Sequence, residues 1–301
     1  MVGRALAFCV AARALVCAQD DLRAILERVS EEAEAFRREA PNLVGREVLR
    51  HWAVQGQSRF RPRTGAQAEG PPPRKTISRE IVSEYGYSAL REAPEALREF
   101  RQVVSVDGKR IEAPEKARLQ LAQGMKSKDD RQRRKMLEEF ERYGTVGAAV
   151  DFGQVLLLFR RRALEDYDFT PMAGGGWIGP DRILRVGYRQ KESGDRLRLY
   201  HGRELKLVPL AGEICVRQHD HVPLRVSLRA DAVEDERPVT YLAEVDYRES
   251  SYGVLLPAGA LVRKQAAGET VVENQYQYSE FRKFTVEAEI KFSSEDTPVK
   301  P

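Results

Sequence analysis

The sequence contains few of the residues that most often carry catalysis or bind metals. There are 3 cysteines and 4 histidines among 301 residues. It has neither a G-x-S-x-G nucleophile elbow nor a phosphate-binding G-x-x-x-x-G-K-[ST] motif. Gly174, Gly175 and Gly176 lack the strand–loop–helix setting of a phosphate cradle, and we expect residues 173–177 to form a loop. We therefore predict a protein that is not an enzyme and has no cofactor.

Long apolar runs and a surplus of one charge are also missing. No stretch approaches the roughly 20 apolar residues that a membrane-spanning helix needs. The 50 Lys and Arg residues are nearly balanced by 46 Asp and Glu residues, for a net charge of +4. The most basic segment, 126–135, includes two aspartates and is interpreted as a solvated helix face. A nucleic-acid partner is therefore not expected.

The first 18 residues resemble a secretory signal peptide. Arg4 precedes an apolar stretch, and the segment ends in Val-Cys-Ala, a small-residue cleavage pattern. We predict export and a periplasmic or secreted location; the alternative is a short buried helix. Cleavage removes two of the three cysteines and leaves Cys215, interpreted as a buried, inert thiol.

Helical periodicity occurs in two regions. Apolar residues recur at helical spacing over 20–39, and Pro41 stops this helix. Residues 114–143 open with a proline and predict one or two helices. Residues 149–164 fit either a helix or a buried strand, and their length favours a helix. Together, 114–164 form a predicted helical insertion.

Strand signals occupy most of the remaining sequence. Apolar and polar residues alternate strictly in three late segments, which is typical of an antiparallel sheet with one wet face. Asp107-Gly108 favours a type I′ hairpin turn. Residues 56–74, rich in proline and arginine, predict a loop. The predicted strand segments are 43–54, 75–90, 97–113 (a hairpin), 224–230, 241–247 and 284–292.

The apolar face of this sheet provides the candidate binding residues. An aromatic cluster at 276–284 either lines a groove or belongs to ordinary sheet packing. The candidates for contact with an apolar ligand are Tyr241, Val245, Tyr247, Leu256, Tyr276, Tyr278, Phe284, Val286 and Ile290.

Two histidines form a weak candidate metal site. His219 and His221 are spaced to project from one side of a strand, but a third ligand would have to come from a distant part of the chain. The segment more readily forms the turn between strands at 213–216 and 224–228. We predict no metal.

Three segments carry a resemblance to a known family. They are the Leu256-Pro257 step with the later Tyr278-Ser279-x-Phe281-Arg282-Lys283-Phe284 stretch, the hairpin 212–228, and 99–111 with its Val-Asp-Gly-Lys turn. The first two resemble the outer-membrane lipoprotein carrier and sorting (LolA/LppX-like) proteins. The third resembles a motif of uncharacterised exported bacterial proteins. Cys215 and His219-Asp220-His221 depart from the family's hairpin pattern.

The resemblance implies an α+β fold: a large curved antiparallel sheet, an incomplete barrel, covered by an N-terminal helix and a central helical insertion. Its concave apolar face would accept acyl chains. We therefore expect a single domain over 19–292 with a flexible tail at 293–301. The predicted function is an exported, non-enzymatic envelope protein that binds a lipid or a lipoprotein acyl chain. The alternative is a structural or protein-interaction component with a filled sheet core and the loop 56–74 as its contact element.

Overall fold

A computed structural model describes residues 2–55, 74–127, 129–143, 151–191, 197–201, 204–234 and 236–283. The helices are α1 (Val2–Glu39), α2 (Pro114–Lys126) and α3 (Asp130–Glu141), with 3-10 turns at Ala40–Asn42, Val155–Phe159 and Arg161–Asp166. The strands are β1 (Leu43–Val54), β2 (Thr76–Leu90), β3 (Ala93–Val106), β4 (Lys109–Arg110), β5 (Tyr167–Ile178), β6 (Asp181–Gln190), β7 (Leu197–His201), β8 (Glu204–Val208), β9 (Leu210–Arg217), β10 (Pro223–Glu234), β11 (Arg237–Glu249), β12 (Leu255–Ala266) and β13 (Glu269–Lys283).

Eleven of these strands form one open sheet. Their order is β4-β3-β2-β1-β13-β12-β11-β10-β9-β6-β5, and β7 pairs with β8 separately. Because β4 and β5 lie at opposite edges, the sheet is not closed. With an N-terminal helix and a helical insertion, this confirms the predicted α+β class. Among the described residues, no helix is long and apolar enough to cross a membrane.

The chain divides into two compact units. Unit 1 comprises residues 1–41 and 151–260, and unit 2 comprises residues 42–150 and 261–301. The predicted signal peptide over 1–18, the single domain over 19–292 and the tail at 293–301 stay predictions. The strand predicted at 284–292, and all but the last residue of the loop predicted at 56–74, lie outside the described residues.

Several local predictions are confirmed. α1 ends at Glu39, just before the turn that contains Pro41. The prediction of one or two helices over 114–143 is met by two, α2 and α3. Asp107 and Gly108 take φ values of 50° and 75°, as a type I′ turn requires, and connect β3 to β4.

Two local predictions are wrong. Residues 173–177 form no loop but lie within β5, where the pairing register shifts between Met172 and Gly176. A glycine run permits such a bulge because Gly174 takes a φ of 86°. Residues 155–166 form 3-10 turns in place of the favoured helix. The segment 155–159 is apolar throughout and so has no single stripe to direct a longer helix.

In unit 2, the insertion α2–α3 packs on one face of β1–β3. Leu121, Met125 and Met136 form a core cluster there with Val44 and Phe100. Arg118 on α2 donates to Glu84 on β2 at 2.9 Å, and the Ser88 hydroxyl donates to the Met125 carbonyl at 3.0 Å. A Cβ at Gly86 would lie 2.8 Å from Met125 Sδ, so the glycine lets the Met125 side chain pack closely on β2. Since neighbouring strand residues point to opposite sides, the other face of β2 carries Ser83, Tyr85 and Tyr87.

Candidate functional site

The apolar sheet face of unit 1 contains three of the predicted binding residues. Tyr241, Val245 and Tyr247 on β11 are all buried. Val245 pairs with Val226 of β10, and Tyr241 pairs with Ala230. Further apolar side chains on this face come from Leu228, Leu210, Ile214, Val186 and Tyr188. Leu256 on β12 is also buried.

A segment without regular secondary structure packs on this face. Val155, Leu156 and Phe159 in the 3-10 turn are buried, and Leu156 and Phe159 have no exposed surface. The Phe159 ring meets the Tyr188 ring of β6 edge-on, with centroids 4.9 Å apart. We call residues 152–166 the cover segment.

A tyrosine hydroxyl on β11 forms hydrogen bonds with the backbone of the cover segment. Tyr247 Oη accepts a hydrogen bond from the Leu156 N–H at 3.0 Å and donates one to the Gly153 carbonyl at 3.0 Å. These backbone groups lie at a turn, where helical hydrogen bonds do not satisfy them. A single side chain therefore orients the start of the cover segment.

Helix α1 contributes the other packing partner of the cover segment. Val29, Ala33 and Phe36 recur on one stripe of the helix and are fully buried. Glu34 lies 3.6 Å from the Arg160 guanidinium. The predicted amphipathic helix therefore packs against the 3-10 turns through its apolar stripe.

The opposite face of these strands is charged. Arg185 pairs with Glu213 at 2.6 Å, and Arg225 pairs with Asp246 at 2.5 Å. Cys215 lies between these pairs and is 8% exposed. Burial, reinforced by nearby Glu213, raises the pKa of its thiol. One charged and one apolar face match the predicted alternation.

In unit 2, the predicted residues Tyr276 and Tyr278 lie on a different kind of surface. They pair with Leu49 and Glu47 of β1, respectively. The same face continues to Tyr85 on β2, which pairs with Arg101 on β3. Here the buried sheet face is lined by aromatic and charged groups together.

Arg101 is the centre of this buried cluster. Its Nε and Nη2 donate to the two Glu47 carboxylate oxygens at 2.7 Å each, and Nη2 also donates to Glu99 at 2.7 Å. The guanidinium carbon lies 5.2 Å from the Tyr85 ring centroid and 5.9 Å from that of Tyr276. Burial alone would lower the pKa of Arg101, but Glu47 and Glu99 outweigh it and raise the pKa.

Tyr85 and Tyr278 of this cluster are held neutral because burial raises the pKa of each hydroxyl. Burial raises the pKa of Tyr85 well above its ordinary value, and the Glu99 charge adds to the effect. Tyr85 donates a hydrogen bond to the Tyr87 hydroxyl at 2.6 Å. The Tyr276 and Tyr278 rings are nearly parallel, at 2°, with centroids 6.1 Å apart. These tyrosines therefore act as hydrogen-bonding and ring-packing groups around a buried ion pair.

More buried polar groups lie on the same face. His51 Nδ1 and Asn274 Oδ1 are 2.6 Å apart. His51 Nε2, Asn274 Nδ2 and the Ser83 hydroxyl have no hydrogen-bond partner among the residues that the structure describes. This face therefore carries buried hydrogen-bonding groups that an apolar sheet interior lacks.

The sequence did not identify the Arg101 cluster. The sequence feature that pointed to the cluster was a charged residue on each face of the predicted strand 43–54. Glu47 lies on one face of this strand, and its neighbours Arg46 and Val48 lie on the other. Glu99 and Arg101 likewise share a face of β3, two residues apart. Phe284, Val286 and Ile290 lie outside the described residues.

The histidine pair does not assemble a metal site in the described part of the chain. His219 lies in the turn between β9 and β10, as expected, with 72% of its side chain exposed. His221 takes a φ of 59°, so the two residues do not lie on one strand. No group of three metal-ligating side chains occurs among the described residues.

Comparisons with known proteins give a similarity to a solved structure. No family model matches the chain, and no curated protein matches it. Among solved structures, the chain is similar to a LolA superfamily protein from Nitrosomonas europaea, with 11% identity and a TM-score of 0.29. The match covers 88% of this chain and 96% of that protein.

Proposed function

We propose that the protein is an exported, non-enzymatic envelope protein that binds an apolar ligand, such as a lipid or an acyl chain, on the apolar face of unit 1. One observation carries the proposal. A segment of short 3-10 turns, and no regular helix or strand, packs its buried side chains on that face. Val155, Leu156 and Phe159 occupy positions that ligand methylenes would take.

The free energies of apolar burial allow a ligand to displace the cover segment from the sheet face. Exposing three large apolar side chains costs roughly 5–9 kcal/mol, at about 1.5–3 kcal/mol each. An acyl chain of about 12–16 carbons gains roughly 10–13 kcal/mol on burial, at about 0.8 kcal/mol per methylene. The short turns add little stability of their own because 3-10 hydrogen bonds have poor geometry.

The test is a lipid titration of delipidated protein. The protein is titrated with a fluorescent fatty acid, and native mass spectrometry identifies any lipid that copurifies. Leu156→Ala loosens the cover segment and should tighten binding, whereas Leu158→Ala, at a half-buried neighbouring position, serves as the matched control. Absence of both saturable binding and copurified lipid would exclude an apolar-ligand function.

A second candidate is a structural or protein-interaction component of the envelope. The favouring observation is that Leu156 and Phe159 already pack fully buried on the sheet face. Crosslinking and pull-down from the native envelope, with and without residues 60–73, test this function. Loss of a specific partner on deletion supports it, and an unchanged partner set argues against it.

A further inference from the structure

A surface groove lined by Trp52 and by several charged residues lies on unit 2. It has a volume of about 440 Å³ and is formed by side chains of β1, β2 and β13 and the end of β3. Trp52 and Arg50 alternate with Leu49 and His51 on β1, so their side chains lie on the sheet face opposite the Arg101 cluster. Ligand sites typically have volumes of roughly 300–1,000 Å³, so the groove can take a small ligand.

The strand register places polar residues of β2 and β13 beside Trp52 and Arg50 of β1, and we call this surface the platform. Ser78 of β2 and Glu273 of β13 stand directly opposite Trp52, one on each side. Glu80 and Gln275 flank Arg50 in the same way. Three adjacent strands therefore surround one indole ring with hydroxyl, carboxylate, amide and guanidinium groups.

The charges of the platform are balanced. Arg50 Nε lies 3.1 Å from Glu80, and Arg263 Nε lies 2.7 Å from Glu273. At the end of the groove, Arg79 lies 2.5 Å from Asp107. Each carboxylate has an arginine partner, so the groove selects neither an anion nor a cation. The charged groups that line it are poorly suited to an acyl chain.

We propose that this platform binds a neutral oligosaccharide of the β-linked glucopyranose type. Such a sugar ring carries C–H bonds on its faces and hydroxyl groups around its rim. The indole of Trp52 offers an apolar, electron-rich surface to the ring face. The surrounding amide, hydroxyl and paired charged groups both donate and accept, as sugar hydroxyls require.

The proposal is tested with two soluble probes, the β-1,4-linked tetrasaccharides of glucose and of N-acetylglucosamine. The chain has two tryptophans, so Trp177→Phe leaves Trp52 as the sole indole for a fluorescence titration. Calorimetry then compares the parent with Trp52→Ala and Gln275→Ala. Trp177→Ala, at a position 70% exposed on β5, is the matched control.

Saturable binding of either tetrasaccharide is expected, weakened about three- to tenfold in Trp52→Ala and unchanged in Trp177→Ala. Gln275 is exposed, so its truncation should weaken binding without altering thermal unfolding. Failure of both sugars to bind, or equal binding by Trp52→Ala, overturns the proposal. Binding of only a sulfated oligosaccharide also overturns it, because the groove would then be an anion site. The fatty-acid titration of unit 1 should not respond to Trp52→Ala, so the two proposals fail independently.

Discussion

Replacing Arg101 with methionine tests the energetics of the buried cluster in unit 2. The side chain of Arg101 is 2% exposed and those of Glu47 and Glu99 are 0% exposed. Methionine keeps similar length and apolar packing but removes the only guanidinium shown to bridge both carboxylates in the described structure. Glu47 and Glu99 then remain buried side by side without that cation.

The expected cost is large. Removing one partner of a buried ion pair destabilises proteins by about 3–5 kcal/mol, because an uncompensated charge stays buried. Loss of the contact between the guanidinium and the Tyr85 ring adds about 1 kcal/mol. Since domains are stable by only about 5–15 kcal/mol, Arg101→Met should bring the protein close to unfolding.

The assay is urea denaturation, followed by circular dichroism and by tyrosine and tryptophan fluorescence. Arg110→Met, at an exposed position on β4, is the control and should cost less than about 1 kcal/mol. The triple variant Arg101→Met, Glu47→Leu, Glu99→Leu removes all three charges and should recover most of the loss, because apolar replacements of buried ion pairs are often neutral.

Two results would refute this reasoning. A loss below about 1 kcal/mol in Arg101→Met would mean that water reaches the cluster and screens the carboxylates. A triple variant no more stable than the single variant would mean that Arg101 acts through packing and hydrogen-bond geometry, and not by compensating charge.

Three further predictions concern unit 1. Tyr247→Phe removes the acceptor of the Leu156 N–H and should lower the free energy of unfolding in urea by about 1–3 kcal/mol. The Leu156 amide should also exchange faster with solvent. Exchange as slow as in the parent protein would contradict the role of the hydroxyl. Burial raises the pKa of Glu32, so ionisation of this carboxyl destabilises the fold as the pH rises. Glu32→Gln should therefore raise the melting temperature at pH 7 but not below about pH 4. A difference in melting temperature that does not depend on pH would contradict this prediction. Burial raises the pKa of Cys215, so at pH 8 iodoacetamide should alkylate this thiol more slowly in the folded protein than in the protein unfolded in urea. Peptide mass spectrometry follows the two rates. Equal rates would show that the folded protein has an exposed thiolate.

The sequence by itself determined the local elements and the faces of the strands. A two-residue period assigns side chains to opposite sides of a strand wherever the strand lies, so the apolar series on β11 was predictable. Pro41 ended α1, and Asp107-Gly108 made the β3–β4 turn, because backbone geometry at these residues is local.

Only the tertiary structure decided which faces meet. Glu47 and Arg101 are 54 positions apart, and their contact depends on the register of β1 against β2 and of β2 against β3. Trp52 likewise gains its polar neighbours from β2 and β13, the latter more than 200 residues further along the chain. The 3-10 form of the cover segment follows from the surface it packs on, because its continuous apolar run fits several backbone conformations equally well. Long-range pairing and burial, which no local pattern encodes, thus made the apolar series of unit 1 a covered face and gave unit 2 its buried ion-pair cluster.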